Sequence, residues 1–266
     1  MKRNAYGSTR RAYELDGIAL SEIEYPPNFR QAKHDHPWTS VTLVLGGGLE
    51  ERVGSTVETA APLSVVVKPA GTEHADRVGS VGARTFQLAL RPDLLEGDRS
   101  PHRTLGDWRW FHAGAPARHF LSLLKLFRAE TRDESSVEAA VFDLLGSLES
   151  QDGTNGTGRP PRWLATVVDE IDDDFAMGLR VRALAMKAGV HPISLARAFR
   201  RHYGVSVTDR IRSRRVQAAA ALLSRSSPPL SDVAYSAGFA DQSHMCRDFK
   251  AGTGLTPGRF RALAGR

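Results

Sequence analysis

Two similar helical segments decide the fold of the C-terminal part of this chain: VRALAMKAGVHPISLARAFRRHYG, residues 181–204, and LSDVAYSAGFADQSHMCRDFKAGTG, residues 230–254. Each begins with a short helix of small and apolar residues, turns at a glycine, and continues into a second helix with one apolar face and one polar or cationic face. Gly189 and Gly238 stand at the two turns, where a backbone without a side chain is favoured. The pattern predicts two helix-turn-helix units in series.

The second helix of each unit has the divided surface that DNA recognition requires. Leu195 and Phe199 in the first unit, and Met245 and Phe249 in the second, are predicted to be buried. Asp241 is predicted to cap the second of these helices. Taken singly, each outward residue could be an ordinary exposed helix side chain, but two matched faces favour contact with base edges and phosphates. The outward residues are Ile193, Ser194, Ala196 and Arg197 in the first unit, and Gln242, Ser243, His244 and Arg247 in the second.

A single long helix is predicted between the two units, over residues 206–223, with Ser206 and Asp209 forming a variant of the capping box. At ~1.5 Å per residue it is roughly 27 Å long. With the flanking elements it can space two recognition helices near the ~34 Å that separates successive major-groove faces of DNA. Its basic residues have two interpretations, phosphate contact or ion pairing with the acidic helix that precedes the first unit. These residues are Arg210, Arg212, Arg214 and Arg215.

Residues 163–263 resemble the DNA-binding domain of the AraC/XylS family of bacterial transcription regulators. The resemblance is carried mainly by the second unit, through Ala234, Gly238, Phe239, Gln242, Ser243, Arg247, Phe249, Gly254, Pro257 and Arg261. It implies that the eight outward residues named above occupy positions that contact bases or the DNA backbone, and that RNA polymerase is a partner. The sequence departs from the family pattern at His191, where a capping Ser is usual, at Ala196, which is too short for a polar base contact, and at Met245, which replaces Phe.

Charge and composition agree with a DNA-binding C-terminal part. The 266 residues are 41% hydrophobic and 25% charged, which is typical of a globular protein. From Arg159 onward there are 18 Lys and Arg against 9 Asp and Glu, so this part carries +9 and the rest carries −3. Such asymmetry predicts an acidic partner, double-stranded DNA, for the C-terminal part alone. The only cysteine, Cys246, indicates a reducing cytoplasm, and the absence of a long apolar run predicts no membrane segment.

The N-terminal part has the texture of a β domain. Short apolar runs separated by Gly, Pro and Asn or Asp turns extend over residues 17–90 and predict a small barrel or sandwich. Two amphipathic helices follow, at residues 119–130 and 137–148. They could fold back on the β domain or pair with a second copy of the chain, and with the family resemblance we expect a homodimer. Residues 150–161, SQDGTNGTGRPP, are then predicted to be a linker.

Three histidines in the β domain suggest an effector site. His34 and His36 alternate along a predicted strand and so share one side, and His74 follows in the motif PAGTEH. These two segments resemble the two motifs of the cupin barrel, which implies a facial set of three imidazoles for a divalent metal. The acidic ligand that usually follows is missing, and Glu50 and Glu51 lie much further along the chain. A metal site, an effector pocket without metal and a structural role therefore all remain open for the three histidines.

Other features of the β domain are expected to have no chemical role. Residues 46–48, Gly-Gly-Gly, are predicted to form a turn, since no phosphate-binding Lys and Ser or Thr follow. His112 and His119 lie outside the cupin-like motifs and are expected at the surface. No catalytic Ser, His and Asp set is apparent, so the chain is not expected to be an enzyme. A metal-dependent cupin enzyme fused to a DNA-binding domain is the alternative function.

The sequence therefore predicts an α+β protein in three parts. Residues 1–150 form a cupin-like β-barrel with an amphipathic helix pair, which senses an effector and dimerises. Residues 151–161 form the linker. Residues 162–266 form an all-α DNA-binding domain in which a long helix joins two helix-turn-helix units. We expect a cytoplasmic transcription regulator controlled by a small molecule or a metal, in which the second unit positions the protein on DNA and the first carries the narrower sequence choice.

Overall fold

The fold combines an N-terminal antiparallel sheet with a C-terminal set of helices, as the sequence predicts. The computed structural model describes residues 7–95, 105–112, 114–130, 133–149, 160–225 and 227–264. The strands are β1 (Ser8–Leu15), β2 (Ile18–Tyr25), β3 (Arg30–His34), β4 (Thr39–Val53), β5 (Thr56–Ala60), β6 (Ser64–Lys68), β7 (His74–Leu90) and β8 (Arg109–His112). The helices are α1 (Ala115–Arg128), α2 (Glu134–Glu149), α3 (Arg162–Asp174), α4 (Val181–Lys187), α5 (Pro192–Tyr203), α6 (Val207–Arg225), α7 (Leu230–Ser236), α8 (Gln242–Thr253) and α9 (Pro257–Ala264).

The sheet is organised around its two long strands, β4 and β7. Its strand order is β1-β2-β7-β4-β6-β8, while β3 pairs with β7 and β5 pairs with β4. Successive residues of a strand point to opposite faces. Accordingly Val41 and Leu43 of β4 join the main apolar core, and Val44 joins a smaller core on the other side. The apolar runs that the sequence marks as strands lie in β4, β6 and β7.

The triple glycine is a kink inside β4, so the predicted turn at residues 46–48 is wrong. The register between β4 and β7 shifts between Val44 and Gly46 and again between Gly47 and Leu49. Gly47 has a φ of +80°, and a Cβ atom placed there would overlap the carbonyl oxygen of Gly82 on β7. Glycine is needed because the two backbones approach closely at a bulge, and the bulge bends β4.

The two amphipathic helices bury their apolar faces within this chain. Phe120 and Phe127 of α1 lie with ring centroids 5.8 and 5.0 Å from Phe86 of the sheet. Val141 and Leu144 of α2 belong to the same core. The faces that the sequence offered for either folding back or self-association are therefore used in packing on the β domain. The predicted homodimer stays a prediction.

Helix α6 takes part in two separate apolar cores. Near its start, Val207 and Ile211 pack with the helices of the first helix-turn-helix unit. Further along, Val216, Ala220 and Leu223 pack in the core that holds the second unit, α1, α2 and one face of the sheet. The second unit is thus continuous in packing with the N-terminal part, whereas the first unit has a core of its own.

Arg128, at the end of α1, connects three parts of the molecule. Its guanidinium donates two hydrogen bonds of 2.7 and 2.6 Å to the carboxylate of Glu22 on β2, and a third of 2.6 Å to the carbonyl oxygen of Leu263 on α9. Since the guanidinium is a rigid planar donor, these bonds fix direction as well as distance. The last helix of the chain is held against the sheet and α1.

Two further expectations concern the chain as a whole. Of the predicted linker only Pro160 and Pro161 belong to the described residues, and the rest of it lies outside them. Among the helices of the described residues, none has the length and apolar character that crossing a lipid bilayer would demand.

The two turn glycines differ in their surroundings, which gives a matched test of the packing. Gly189 and Gly238 have φ angles of +68° and +80°, so alanine at either position costs roughly 1–2 kcal/mol of backbone strain. A Cβ atom at Gly189 meets nothing within 4 Å, but at Gly238 it would overlap the backbone of Ala176, with the carbonyl oxygen at 2.7 Å. We expect Gly238→Ala to lower the free energy of unfolding in urea by about 3 kcal/mol or more, and Gly189→Ala by about 1 kcal/mol. Equal losses would contradict the close contact.

Candidate functional site

The polar faces of both second helices are open to solvent. In α5 the side chains of Ile193, Ser194, Ala196 and Arg197 are exposed, while Leu195 is buried. Ile193 is 62% exposed, which is unusual for a residue of its size and leaves an apolar contact available. The first predicted DNA face is therefore presented as one continuous patch. No partner covers it in the described chain.

The second face is similar, but His244 makes contacts within the domain. Gln242, Ser243 and Arg247 of α8 are exposed. His244 is only 34% exposed because its Nε2 atom lies 3.2 Å from the carboxylate of Asp248 and its ring packs edge-on against Phe239. Of the four residues predicted for DNA contact in this unit, His244 is the one whose side chain already interacts with another residue of the protein.

Capping fixes where each of these helices begins. The Asp241 carboxylate accepts a 2.7 Å hydrogen bond from the backbone N–H of His244, as predicted. At α5 the Nδ1 atom of His191 accepts a longer bond, 3.3 Å, from the backbone N–H of Ile193. At this position, where the family usually has a capping Ser, the imidazole nitrogen of His191 takes the place of the hydroxyl. The longer bond makes this the weaker cap.

The long helix is also capped as predicted. The hydroxyl of Ser206 accepts a hydrogen bond of 3.0 Å from the backbone N–H of Asp209, and donates one of 2.6 Å to the carboxylate of that residue. Because the hydroxyl both accepts and donates, the helix start is well defined. The helix runs over Val207–Arg225, close to the predicted residues 206–223.

Arg210, Arg214 and Arg215 of α6 are turned inward, which favours ion pairing over phosphate contact for these three residues. Arg210 and Arg214 both reach Asp172 on α3, at 2.7 and 3.0 Å. Arg215 donates to the carbonyl oxygens of Phe175 and Met177. Each guanidinium is thus engaged with the segment that precedes the first unit. Arg212 instead contacts Asp209 at 3.1 Å and Asp248 on α8 at 3.3 Å, which links the long helix to the second recognition helix.

His112 lies where the sheet meets this arginine cluster, and only 25% of its side chain is exposed, so it is less accessible than the expected surface residue. Its Nδ1 atom is 3.1 Å from the hydroxyl of Ser64, and its Nε2 atom is 3.9 Å from the carboxylate of Glu58. Burial, together with the positive charges of Arg210 and Arg214, lowers the pKa of His112 to about 4. The imidazole is therefore neutral at pH 7, and protonating it would place a cation beside two others.

The three histidines predicted to share a site do converge. His34 lies on β3, His74 begins β7, and His36 follows β3, with ring centroids between 4.2 and 5.2 Å apart. One ring nitrogen from each can be chosen so that all three lie within 4.8 Å of one another. This is the geometry in which three imidazoles can ligate one ion.

The tautomers of two of these rings are fixed by backbone carbonyls. The Nδ1 atoms of His34 and His74 lie 2.8 Å from the carbonyl oxygens of Ala32 and Thr72. A carbonyl can only accept, so both Nδ1 atoms carry the proton and both Nε2 atoms keep a lone pair, as metal-binding histidines do. The Nε2 atom of His74 is buried, with no hydrogen-bond partner, while that of His34 accepts from the amide of Gln31 at 2.9 Å.

The same cluster contains acidic residues that sequence reasoning missed. Glu51 and Asp76 are paired across β4 and β7, and each offers an oxygen close to His74. Lys68 donates a 2.5 Å hydrogen bond to Glu51, and the indole N–H of Trp108 donates another of the same length. The sequence placed Glu51 too far along the chain from His36, but the antiparallel pairing of β4 with β7 brings it back beside His74.

Burial sets the protonation of this cluster. It lowers the pKa values of His36 and His74 to about 4, with the positive charge of Lys68 acting in the same direction. Burial alone would raise the pKa of Glu51, but the Lys68 ammonium and the Trp108 N–H hold it below its usual value. Burial raises the pKa of Asp76 to about 6. At pH 7 the imidazoles of His36 and His74 are neutral, which is the form that binds metal.

Comparison with known proteins agrees with the geometry of the C-terminal half. Residues 184–263 match a family profile described as a helix-turn-helix domain. The class of protein is thus one that carries two helix-turn-helix units in series.

Two relatives are similar to part of the chain. Over 110 residues the chain is 34% identical to the HTH-type transcriptional regulator GlxA of Rhizobium meliloti (strain 1021), covering 41% of this chain and 33% of that one. Over 82 residues it is 34% identical to the arabinose operon regulatory protein of Escherichia coli (strain K12), covering 31% and 28%. In its C-terminal part the chain is similar to regulators of the AraC/XylS family, in agreement with the resemblance of its sequence. The matched region is only a third or less of the length of these two relatives.

Two solved structures align over most of the chain at low identity. The AraC-like transcriptional activator CuxR has a TM-score of 0.45 and 13% identity, covering 80% of this chain and 81% of that one. ToxT from Vibrio cholerae O395 has a TM-score of 0.39 and 12% identity, covering 93% and 98%.

The low pKa of His112 predicts how stability depends on pH. In the unfolded chain a histidine has a pKa near ~6.5, so the unfolded state binds the proton first as pH falls, and the folded state loses stability between about pH 6.5 and pH 4. We expect the free energy of unfolding to fall between pH 7 and pH 5 by on the order of 2 kcal/mol more in the wild type than in His112→Gln. Urea titrations at each pH measure this difference. Identical pH profiles would contradict the buried, neutral imidazole.

Proposed function

We propose that this protein is a sequence-specific, DNA-binding transcription regulator whose N-terminal domain responds to an effector. The observation that carries the proposal is the pair of exposed, capped recognition helices, α5 and α8, joined by the rigid α6. Each presents an arginine beside short side chains, and arginine pairs bidentately with guanine in the major groove. The names of the relatives, a transcriptional regulator and an operon regulatory protein, support the same function.

The inward arginines of α6 make the proposal more specific. Since Arg210, Arg214 and Arg215 are engaged with α3 and the turn after it, they contribute little to phosphate binding. The recognition helices keep exposed cations, among them Arg197, Arg200 and Arg247, that remain available to DNA. Discrimination between sequences should accordingly depend on Ile193, Ser194, Ala196 and Arg197 and on Gln242, Ser243 and Arg247, with His244 limited by its contact to Asp248.

For the N-terminal domain we propose a cupin-like sensor that holds a divalent metal at His34, His36 and His74. Three imidazoles in reach of one ion favour Zn²⁺ or another borderline metal over Mg²⁺ or Ca²⁺. A metal would also provide the partner that the buried Nε2 atom of His74 lacks. Gln31 would have to release His34. The carboxylates of Glu51 and Asp76 would lie near the ion as hydrogen-bond acceptors for water or for a small-molecule effector.

Control of DNA binding is proposed to work by population shift. An effector that binds one arrangement of the two halves better than another changes how often both recognition helices can engage DNA together. The packing of the second unit against α1 and the sheet supports this coupling. Dimerisation, contact with RNA polymerase and a cytoplasmic location complete the proposed picture of the regulator.

An enzymatic role is not favoured. The alternative of a metal-dependent cupin enzyme needs turnover of a substrate, and the relatives named above are regulators. The Bifunctional transcriptional activator/DNA repair enzyme AdaA of Bacillus subtilis (strain 168) is 29% identical over 111 residues, but this match lies in the helix-turn-helix part. We therefore assign no reaction to the histidine cluster.

The DNA-binding function is tested by removing one arginine from each recognition helix. We expect Arg197→Ala and Arg247→Ala each to reduce discrimination between the best site and a scrambled duplex by about tenfold or more, because a bidentate base contact is worth ~1–3 kcal/mol. The best site comes from selection of bound DNA from a random pool, and affinities are compared at one salt concentration.

A matched control removes the same charge elsewhere in the domain. Arg259 is exposed on α9 and is not one of the residues predicted to contact DNA, so Arg259→Ala should leave the sequence preference unchanged. If the wild type bound all duplexes with similar affinity, the protein would be a non-specific DNA-packaging factor instead. Comparing the sites selected by the Arg197 and Arg247 variants also tests whether the first unit carries the narrower sequence choice, and equal losses from both would refute that division.

Metal binding is tested directly on the purified chain. We expect one equivalent of Zn²⁺ to bind in equilibrium dialysis at pH 7, and His74→Ala to weaken binding by at least about tenfold through the loss of one ligand. His119→Ala on α1 is the matched control and should bind as the wild type does. Binding that survives His74→Ala would place the metal elsewhere, and no binding at all would leave the three histidines to a metal-free effector or to a structural role.

A further inference from the structure

A large cleft lies between the N-terminal sheet and α6, and none of the three clustered histidines lines it. Its volume is about 1200 Å³, which is sufficient for a small organic molecule, since such sites commonly measure roughly 300–1000 Å³. One wall is formed by β1, the end of β2 and the bulged parts of β4 and β7. The other is formed by the last residues of α6, Ser224 and Arg225. The cleft therefore borders both halves of the protein.

The charges around this cleft are unbalanced. Arg10, Arg11, Arg84 and Arg225 line it, against a single glutamate, Glu24, which lies 2.5 Å from Arg10. Burial lowers the pKa of Arg84, the positive charges of Arg128 and Arg10 lower it further, and the carboxylates of Glu24 and Glu22 act in the opposite direction. Positive groups are thus crowded at this place, and an anion would relieve the repulsion among them.

The rest of the lining is largely apolar. Tyr25, Pro26, Phe29, Val81 and Ala83 contribute rings and aliphatic side chains. Such walls gain from covering an apolar body, at about 25 cal/mol per Å² of apolar surface removed from water. A bare phosphate or a DNA backbone would leave these apolar walls exposed to water. The chemistry of the cleft therefore suits a molecule with one anionic group and an apolar remainder.

We propose that this cleft binds an amphipathic organic anion, with its carboxylate or similar group at Arg84 and Arg225 and its apolar part against Tyr25 and Phe29. Gly46 shows how near the two arginine-bearing elements are. A Cβ atom there would lie 3.3 Å from the Cβ atom of Ser224 and 3.6 Å from the Nη2 atom of Arg84. One bound anion can therefore contact β7 and the end of α6 together.

Binding at this site has a consequence for DNA recognition, and that consequence rests on the proposed function. A ligand that touches both walls stabilises the arrangement in which α6 is docked on the sheet. Because α6 also carries the first unit, the ligand and DNA affect each other's affinity by the same factor if DNA prefers one arrangement. The binding itself does not depend on DNA, so the two parts can be tested apart.

The probe is 1-pyrenebutyrate, a fluorescent amphipathic carboxylate, compared with 1-pyrenebutanol, which has the same apolar body without the charge. We expect the carboxylate to bind the full chain at one saturable site with a Kd in the micromolar range, and the alcohol at least about tenfold more weakly, since charge-assisted hydrogen bonds to arginine are lost. Arg84→Gln and Arg225→Gln should each weaken carboxylate binding by about fivefold or more. Arg52→Gln, an exposed arginine on β4 outside the cleft, is the matched control and should bind as the wild type does.

Several outcomes would overturn the proposal. They are no saturable binding of the carboxylate up to about 100 µM, equal binding of acid and alcohol, and wild-type binding by both cleft variants. If Arg84→Gln does not fold, as judged by circular dichroism, Arg225→Gln at the exposed end of α6 decides alone. Binding must persist in His74→Ala, which separates this site from the histidine cluster. Should the probe bind as expected while the selected DNA site is not recognised, the cleft stands and the regulatory function fails.

Discussion

The structure depends on one helix, α6, being shared between two apolar cores. Val207 and Ile211 anchor its start in the first helix-turn-helix unit, and Val216, Ala220 and Leu223 anchor its end in the core of the second unit and the N-terminal part. A helix is stiff over ~19 residues, so a displacement at one end is carried to the other. The distance and angle between the two recognition helices are set by how α6 sits in both cores. A change in the N-terminal part can therefore alter DNA recognition by shifting α6.

Electrostatics inside the molecule reinforces that arrangement. Asp172 receives two arginines of α6, and Arg128 connects β2, α1 and α9. These pairs are only partly exposed, so they hold direction better than loose surface ion pairs do. Net charge alone would have assigned the α6 arginines to DNA, and the structure shows that a count of positive residues overstates the surface available to phosphates.

Local signals made much of the fold predictable. The correct predictions depend on residues near one another in sequence. They are the glycine at each turn, Asp241 and Ser206 as caps, and the periodicity of α1 and α2. The misses depend on distant neighbours. The glycines at 46–48 belong to a bulge that only pairing with β7 reveals. His112 is influenced by the charges of Arg210 and Arg214 on α6, which lies about a hundred residues away in sequence. The carboxylates beside His74 were missed for the same reason, because strand register brings Glu51 and Asp76 there.

The unequal packing of the two units has a consequence for how such a protein can change over generations. The first unit has an apolar core separate from that of the N-terminal part, formed with α3 and the start of α6. Substitutions on its exposed face therefore disturb few neighbours. The second unit is surrounded by α1, the sheet and α9, and its turn at Gly238 touches the backbone of Ala176. Variation is therefore better tolerated in the first unit, which can acquire new target sequences while the second keeps the common architecture intact.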